Sequence, residues 1–136
     1  MLCFVAVVGA PFMTGLRVLV VEDEGLIAMV LDDYLRDLGC TVVGPLPNIA
    51  MARDALDTEE FDVALLDINL GGYSVFPVAD ELMARGIAFG FMTAHNVDTL
   101  PARYQDMISV SKPYTAVDVE RAVKQLALRQ PQRREG

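Results

Sequence analysis

From Leu16 onward, short apolar runs alternate with stretches of helical spacing, a pattern that predicts βα units around a parallel sheet. The runs are Leu16 to Val21, Cys40 to Val43, Asp62 to Leu66, Ala88 to Met92 and Met107 to Val110, each rich in β-branched or aromatic residues. After the first run, Ile27, Val30, Leu31, Tyr34, Leu35 and Leu38 recur every three or four positions, with Asp32, Asp33, Arg36 and Asp37 between them. That spacing predicts an amphipathic helix, and Gly39 supplies its stop. A second helix is expected from Asn48, as N-cap, through Leu56. A third runs from about Ser74 to Ala84, with Pro77 tolerable only near its first turn and Gly86 closing it. Pro101 interrupts His95 to Asp106, so a short or irregular helix is expected there. Thr115 and Asp118 form a capping box for a last helix whose apolar face is Val119, Ala122, Val123 and Leu126.

Composition narrows the class. The 136 residues suit one domain, and a 53% apolar fraction with 22% charged residues points to strands buried on both faces. Nineteen acidic against eleven basic residues leave a net charge of −8, which disfavours direct nucleic-acid binding. Cys3 and Cys40 make no disulfide framework, no Cys/His cluster has zinc spacing, and a reducing cytoplasm fits best. Cys40 reads as a small core residue. Met1 to Met13 is too short to span a bilayer and lacks a basic start, so neither a membrane span nor a secretory signal is expected. The expected division is an apolar extension over 1–14, a domain over 15–130 and a frayed polar tail over 131–136. The extension is either an over-long start or an arm whose Leu2, Phe4, Val5, Val7 and Val8 cover an apolar surface or a dimer partner.

Ligands of open parallel sheets bind outside the carboxyl ends of the strands, which directs attention to the residues just after each run. The first run ends in Glu22-Asp23-Glu24, the third in Asp67, the fourth in Thr93 and the fifth in Ser111-Lys112-Pro113. Glu22, Asp23 and Asp67 together place like charges close enough to repel unless a divalent cation neutralises them, and an all-oxygen donor set suits Mg²⁺. Lys112, one of two lysines among eleven basic residues, can pair with Asp67 or with an added phosphoryl group. An acidic strand end often merely caps the next helix or sits solvated in a loop, and Glu24 is read that way.

Leu-Val-Val-Glu-Asp-Glu, Ala-Leu-Leu-Asp67-Ile-Asn-Leu, Phe-Met-Thr93-Ala and Ser-Lys112-Pro-Tyr, in this order over Leu16 to about Arg129, resemble the receiver domain of bacterial response regulators. The resemblance implies a flavodoxin-like (βα)5 fold, a doubly wound parallel sheet with strand order 2-1-3-4-5. It implies that Asp67 is the phosphoacceptor, attacking a phosphohistidine of a sensor histidine kinase or histidine phosphotransferase. Asp23 and Asp67 would hold Mg²⁺ directly, the Asn69 carbonyl would add a ligand, and Glu22 would act through water. Thr93 and Lys112 would bind phosphoryl oxygens, helped by a cis peptide before Pro113. The chain would then be a stand-alone cytoplasmic receiver that switches a downstream protein target, a stoichiometric phosphoacceptor and not an enzyme. A homodimer is a further partner expectation.

Two departures stand out. Receivers usually carry an aromatic residue three positions before the lysine, and here that position is Ser109, so the usual aromatic readout is not expected, and Tyr114 or Phe91 is left to serve another surface. The spacings of 26 residues from Asp67 to Thr93 and 19 from Thr93 to Lys112 are a few residues shorter than usual, which fits a trimmed fourth helix. Ile87 to His95, with Gly71-Gly72 and Phe76-Pro77 upstream, is similar to an alphaproteobacterial subgroup with a Phe-Ala-Thr-Gly motif, although Ala94-His95 departs from its glycine. The segment His95 to Asp106 is expected to become ordered when Thr93 is drawn toward Asp67. His95 follows a strand and reads as a loop residue, not a phosphotransfer histidine. Two rivals remain. A phosphohydrolase of the haloacid dehalogenase type needs an acid two residues after its nucleophile, where this chain has Asn69. A phosphate-independent interaction module has little reason to keep Glu22, Asp23, Asp67, Thr93 and Lys112 together.

Overall fold

The computed structural model describes residues 14–93 and 100–130. Five parallel strands form the central sheet: β1 (Arg17–Val21), β2 (Thr41–Leu46), β3 (Val63–Asp67), β6 (Ala88–Thr93) and β7 (Ile108–Ser111). Their order is β2-β1-β3-β6-β7, with β4 (Asn69–Leu70) and β5 (Tyr73–Ser74) forming a separate antiparallel hairpin. Leaving that hairpin aside, this is the expected 2-1-3-4-5 sheet, and each main strand except β2 ends within one residue of its expected bounds.

Alternation along the strands divides the core in two. Val18, Val20, Val63 and Leu65 face α1 (Gly25–Asp37) and α4 (Ala116–Arg129), packing with Leu31, Leu35, Val123 and Leu126. Leu19, Val21, Ala64 and Leu66 face α2 (Ile49–Thr58) and α3 (Phe76–Ala84), packing with Ala52, Ala55, Val78 and Leu82. Every residue of β3 is buried, as a strand covered on both faces requires.

Local signals fix the helix starts. The Asn48 side chain accepts from Met51 N at 2.8 Å, and Thr115 and Asp118 exchange both bonds of a capping box. The third helix begins at Phe76, two residues later than expected, because Tyr73–Ser74 pairs in the hairpin; Ser74 Oγ then accepts from Phe76 N, and Pro77 lies in the first turn.

Strand β2 runs three residues past its expected end. The added residues include Pro45, which an edge strand tolerates, since one side of its backbone needs no ladder partner. Gly44 makes this possible at φ +108°, where a Cβ would meet Leu46 N and Val20 O at 2.8 Å. Both the Gly44–Pro45 and the Lys112–Pro113 peptides are cis. Of the irregular stretch before β7, the described part contains a single 3₁₀ turn, Ala102–Tyr104. Residues 1–13, His95 and the tail 131–136 lie outside the described residues. Among those described, no helix is long and apolar enough to cross a membrane.

Candidate functional site

The carboxyl ends of β1, β3, β6 and β7 open on a cleft of about 340 Å³ lined by Asp23, Asp67, Asn69, Thr93 and Lys112. Parallel strands in register bring these ends together: Val21 pairs with Leu66, Asp67 with Met92, and Thr93 with Ser111. Residues far apart in sequence therefore arrive at one rim.

Glu22 and Asp67 are buried and Asp23 is exposed, with carboxylate oxygens of all three within 4.8 Å of one another. Lys112 reaches between them, its Nζ 3.1 Å from Glu22 Oε1, 3.3 Å from Asp67 Oδ2 and 3.8 Å from Glu24 Oε1. Glu22 Oε2 accepts from Glu24 N at 3.1 Å, tying the acidic turn to the start of α1. Asp67 Oδ1 accepts a long bond from Asn69 N at 3.4 Å.

One ammonium does not balance three carboxylates. Burial first, and the Glu22 charge second, push the Asp67 carboxyl up to about 7, although Lys112 opposes both. Burial alone would lower the Lys112 ammonium, but Asp67 and Glu22 outweigh it and hold the group above its ordinary range. A surplus of negative charge on hard oxygen donors in an open cleft is what a divalent cation satisfies, so the residues fit Mg²⁺. Among the described residues, Glu22, Asp23 and Asp67 form the cluster with metal-ligating geometry.

The remaining expected residues take distinct places. Thr93 is buried at the end of β6, and its carbonyl accepts from Lys112 N at 2.8 Å. Asn69 is exposed, and its Oδ1 accepts from Gly72 N at 2.9 Å, so the amide supports the hairpin turn. That hairpin was not foreseen, although two adjacent glycines, here at φ +60° and +91°, are a turn signal in their own right. Burial pushes the Cys40 thiol up to about 11, as its core position requires. Tyr114 flanks the cleft, and burial followed by the Glu22 and Asp67 charges holds its phenol well above the usual range.

A second feature had no expectation attached to it. Tyr104, Asp80 and Arg103 interlock beneath the 3₁₀ turn, beside Phe76, Phe89 and Phe91. Tyr104 sits in an irregular, proline-broken stretch where periodicity carries no signal.

Comparison with known proteins agrees with this geometry. Residues 18–124 match the family described as response regulator receiver domain. SdrG from Sphingomonas melonis Fr1 is 38% identical, with a TM-score of 0.73 over 84% of this chain and 97% of SdrG. A BeF3-activated conformation of SdrG, from Pseudomonas melonis Fr1, is 40% identical at a TM-score of 0.71, covering 82% and 94% of the two chains. The transcriptional regulatory protein PdtaR of Mycobacterium tuberculosis is 29% identical over 112 residues, 79% of this chain and 55% of PdtaR. The chain spans about half the length of the curated relatives it matches. With its acidic triad, its lysine and its five-stranded parallel sheet, the chain belongs to the response regulator receiver domains of two-component signalling.

Proposed function

We propose that Asp67 accepts a phosphoryl group from a phosphohistidine and that the event changes which protein the domain binds. The observation that carries this reading is the placement of Asp67 at an open cleft, 3.3 Å from Lys112 and within 4.8 Å of the Glu22 and Asp23 carboxylates. An Asp67 oxygen attacks phosphorus, the P–N bond breaks with its electrons passing to the imidazole, and that nitrogen takes a proton from solvent. Bound through Asp23, Asp67 and the Asn69 carbonyl, with Glu22 behind, Mg²⁺ would screen the charge of the incoming group. Lys112 stabilises the developing charge as a fixed ammonium, and Thr93 donates its hydroxyl to a phosphoryl oxygen after transfer. A BeF3-activated conformation of the related SdrG supports the reading, since beryllofluoride imitates a phosphoryl group.

The donor is a sensor histidine kinase or a histidine phosphotransferase. Beside the cleft, Leu26 and Val30 on α1 are exposed, and with Pro113 and Tyr114 they border an apolar hollow of about 520 Å³. An apolar helical partner seated there brings its phosphohistidine over Asp67. The downstream target is a protein, because a chain of net charge −8 repels a phosphate backbone.

Incubation with acetyl phosphate and Mg²⁺, followed by intact mass, tests the reading. Wild type is expected to gain one phosphoryl group and Asp67→Asn none. Equal labelling of both rejects Asp67. Sustained release of phosphate from esters would instead favour a hydrolase, and absence of labelling would favour a phosphate-independent module.

A further inference from the structure

The face of β6 that carries Thr93 also carries Phe89 and Phe91, by the two-residue alternation of a strand. Tyr104, fully buried, packs onto these rings from the 3₁₀ turn. Its ring centroid lies 5.2 Å from that of Phe91, 6.1 Å from Phe89 and 5.3 Å from the stacked Phe76. On its other side the Tyr104 hydroxyl donates a hydrogen bond to Asp80 on α3. Arg103 completes the clasp, donating to both Asp80 oxygens at 2.9 and 3.2 Å, with its guanidinium 4.6 Å from the Tyr104 ring centroid. Burial first, and the Asp80 bond second, push the phenol up to about 12, so the hydroxyl remains a donor throughout the neutral range.

Ser109 of β7 pairs with Phe91, and its small side chain adds no aromatic surface beside that ring, so the aromatic packing on Phe91 from this side of the sheet comes from Tyr104 and Phe76.

We propose that Tyr104, held by Asp80 and Arg103, is a positioning residue for Thr93 and sets how readily the end of β6 closes on a phosphorylated Asp67. The inference rests on the phosphoacceptor reading above. Asp67 and Thr93 stand at the ends of adjacent strands, so a Thr93 hydroxyl drawn to a phosphoryl oxygen pulls the end of β6 with it. Phe91, two residues back, follows. A close-packed ring cluster opens no void, so Tyr104 moves too, against its bonds to α3. The clasp therefore opposes the phosphorylated arrangement, and loss of the half-exposed Tyr104–Asp80 hydrogen bond shifts that balance roughly three- to tenfold.

The test titrates the full chain with beryllofluoride at saturating Mg²⁺ by calorimetry, and with Mg²⁺ alone. Tyr104→Phe removes only the hydroxyl, and Asp80→Ala removes a half-exposed side chain, so the fold survives both changes. Both variants are expected to bind beryllofluoride about three- to tenfold more tightly than wild type, with Mg²⁺ affinity unchanged. Unchanged or weaker beryllofluoride binding in Tyr104→Phe overturns the positioning role, as does a parallel change in Mg²⁺ affinity, which general loosening would give. In wild type labelled at tyrosine, the Tyr104 ring resonances are expected to shift on adding beryllofluoride, and static resonances overturn the inference without any variant. Failure of wild type itself to bind beryllofluoride overturns the phosphoacceptor reading and this inference with it.

Discussion

Replacing Asp67 by Asn should stabilise the protein in metal-free buffer at pH 8, the reverse of the usual effect of altering a buried residue. The Asp67 carboxyl ionises near pH 7 in the fold, against an ordinary value of 3.8. Three units correspond to about 4 kcal/mol at 1.36 kcal/mol per unit, and relaxation and solvent screening reduce this to about 2 kcal/mol. The sign follows from linkage. A carboxyl raised by folding contributes stability that is fully present below its unfolded value and is lost as pH rises through about 7. Asn does not ionise, so Asp67→Asn escapes that loss. Thermal melts in EDTA should place Asp67→Asn roughly 8 °C above wild type at pH 8, with the gap closing toward pH 4. Adding Mg²⁺ at pH 8 should raise wild type more than the variant, because the cation binds the ionised triad. Equal melting points at pH 8, or a gap that widens on acidification, would refute the electrostatic account of the cleft.

Other changes read different parts of the molecule. Lys112→Ala leaves Glu22 buried beside Asp67 without its cation, and denaturant titration at pH 8 should show a loss of about 3 kcal/mol. Thr115→Ala deletes the cap of α4 and should cost about 1 kcal/mol, read as a melting point lower by roughly 4 °C. Gly44→Ala forces a Cβ against backbone atoms at 2.8 Å with φ at +108°, and should cost more than about 2 kcal/mol in the same titration. The Cys40 thiol, raised from 9.0 to about 11 by burial, contributes stability present below pH 9 and lost as pH rises through about 11. Peptide mapping should accordingly show Cys40 unmodified by iodoacetamide at pH 8 in the folded chain and modified once urea is added.

Main-sheet strands and capped helices are legible in the sequence because their periods and end signals are local. Leu16 to Val21 and Asp62 to Leu66 read as strands since both faces are covered, and Asn48 and Thr115 announce helices through the bonds their side chains accept. The convergence of Glu22, Asp23, Asp67, Thr93 and Lys112 was also legible, because a parallel sheet gathers strand ends at one rim. The end of β2 was not legible, because the apolar run Cys40 to Val43 gives no sign that an edge strand continues through Pro45, and edge position is a tertiary property. Val30 belongs to the helical apolar stripe, yet it is 37% exposed, because the stripe of α1 is wider than the surface that covers it. The Asp80–Arg103–Tyr104 clasp joins a helix to an irregular turn, and no spacing rule links such residues.

The central claim is that Asp67 carries the phosphoryl group. After incubation with acetyl phosphate and Mg²⁺, borohydride reduction followed by peptide sequencing in a mass spectrometer converts a phosphorylated aspartate into homoserine and locates it. Homoserine at position 67, abolished by EDTA, is the predicted result. Homoserine at another acidic position, or labelling of position 67 that persists without the metal, would contradict it.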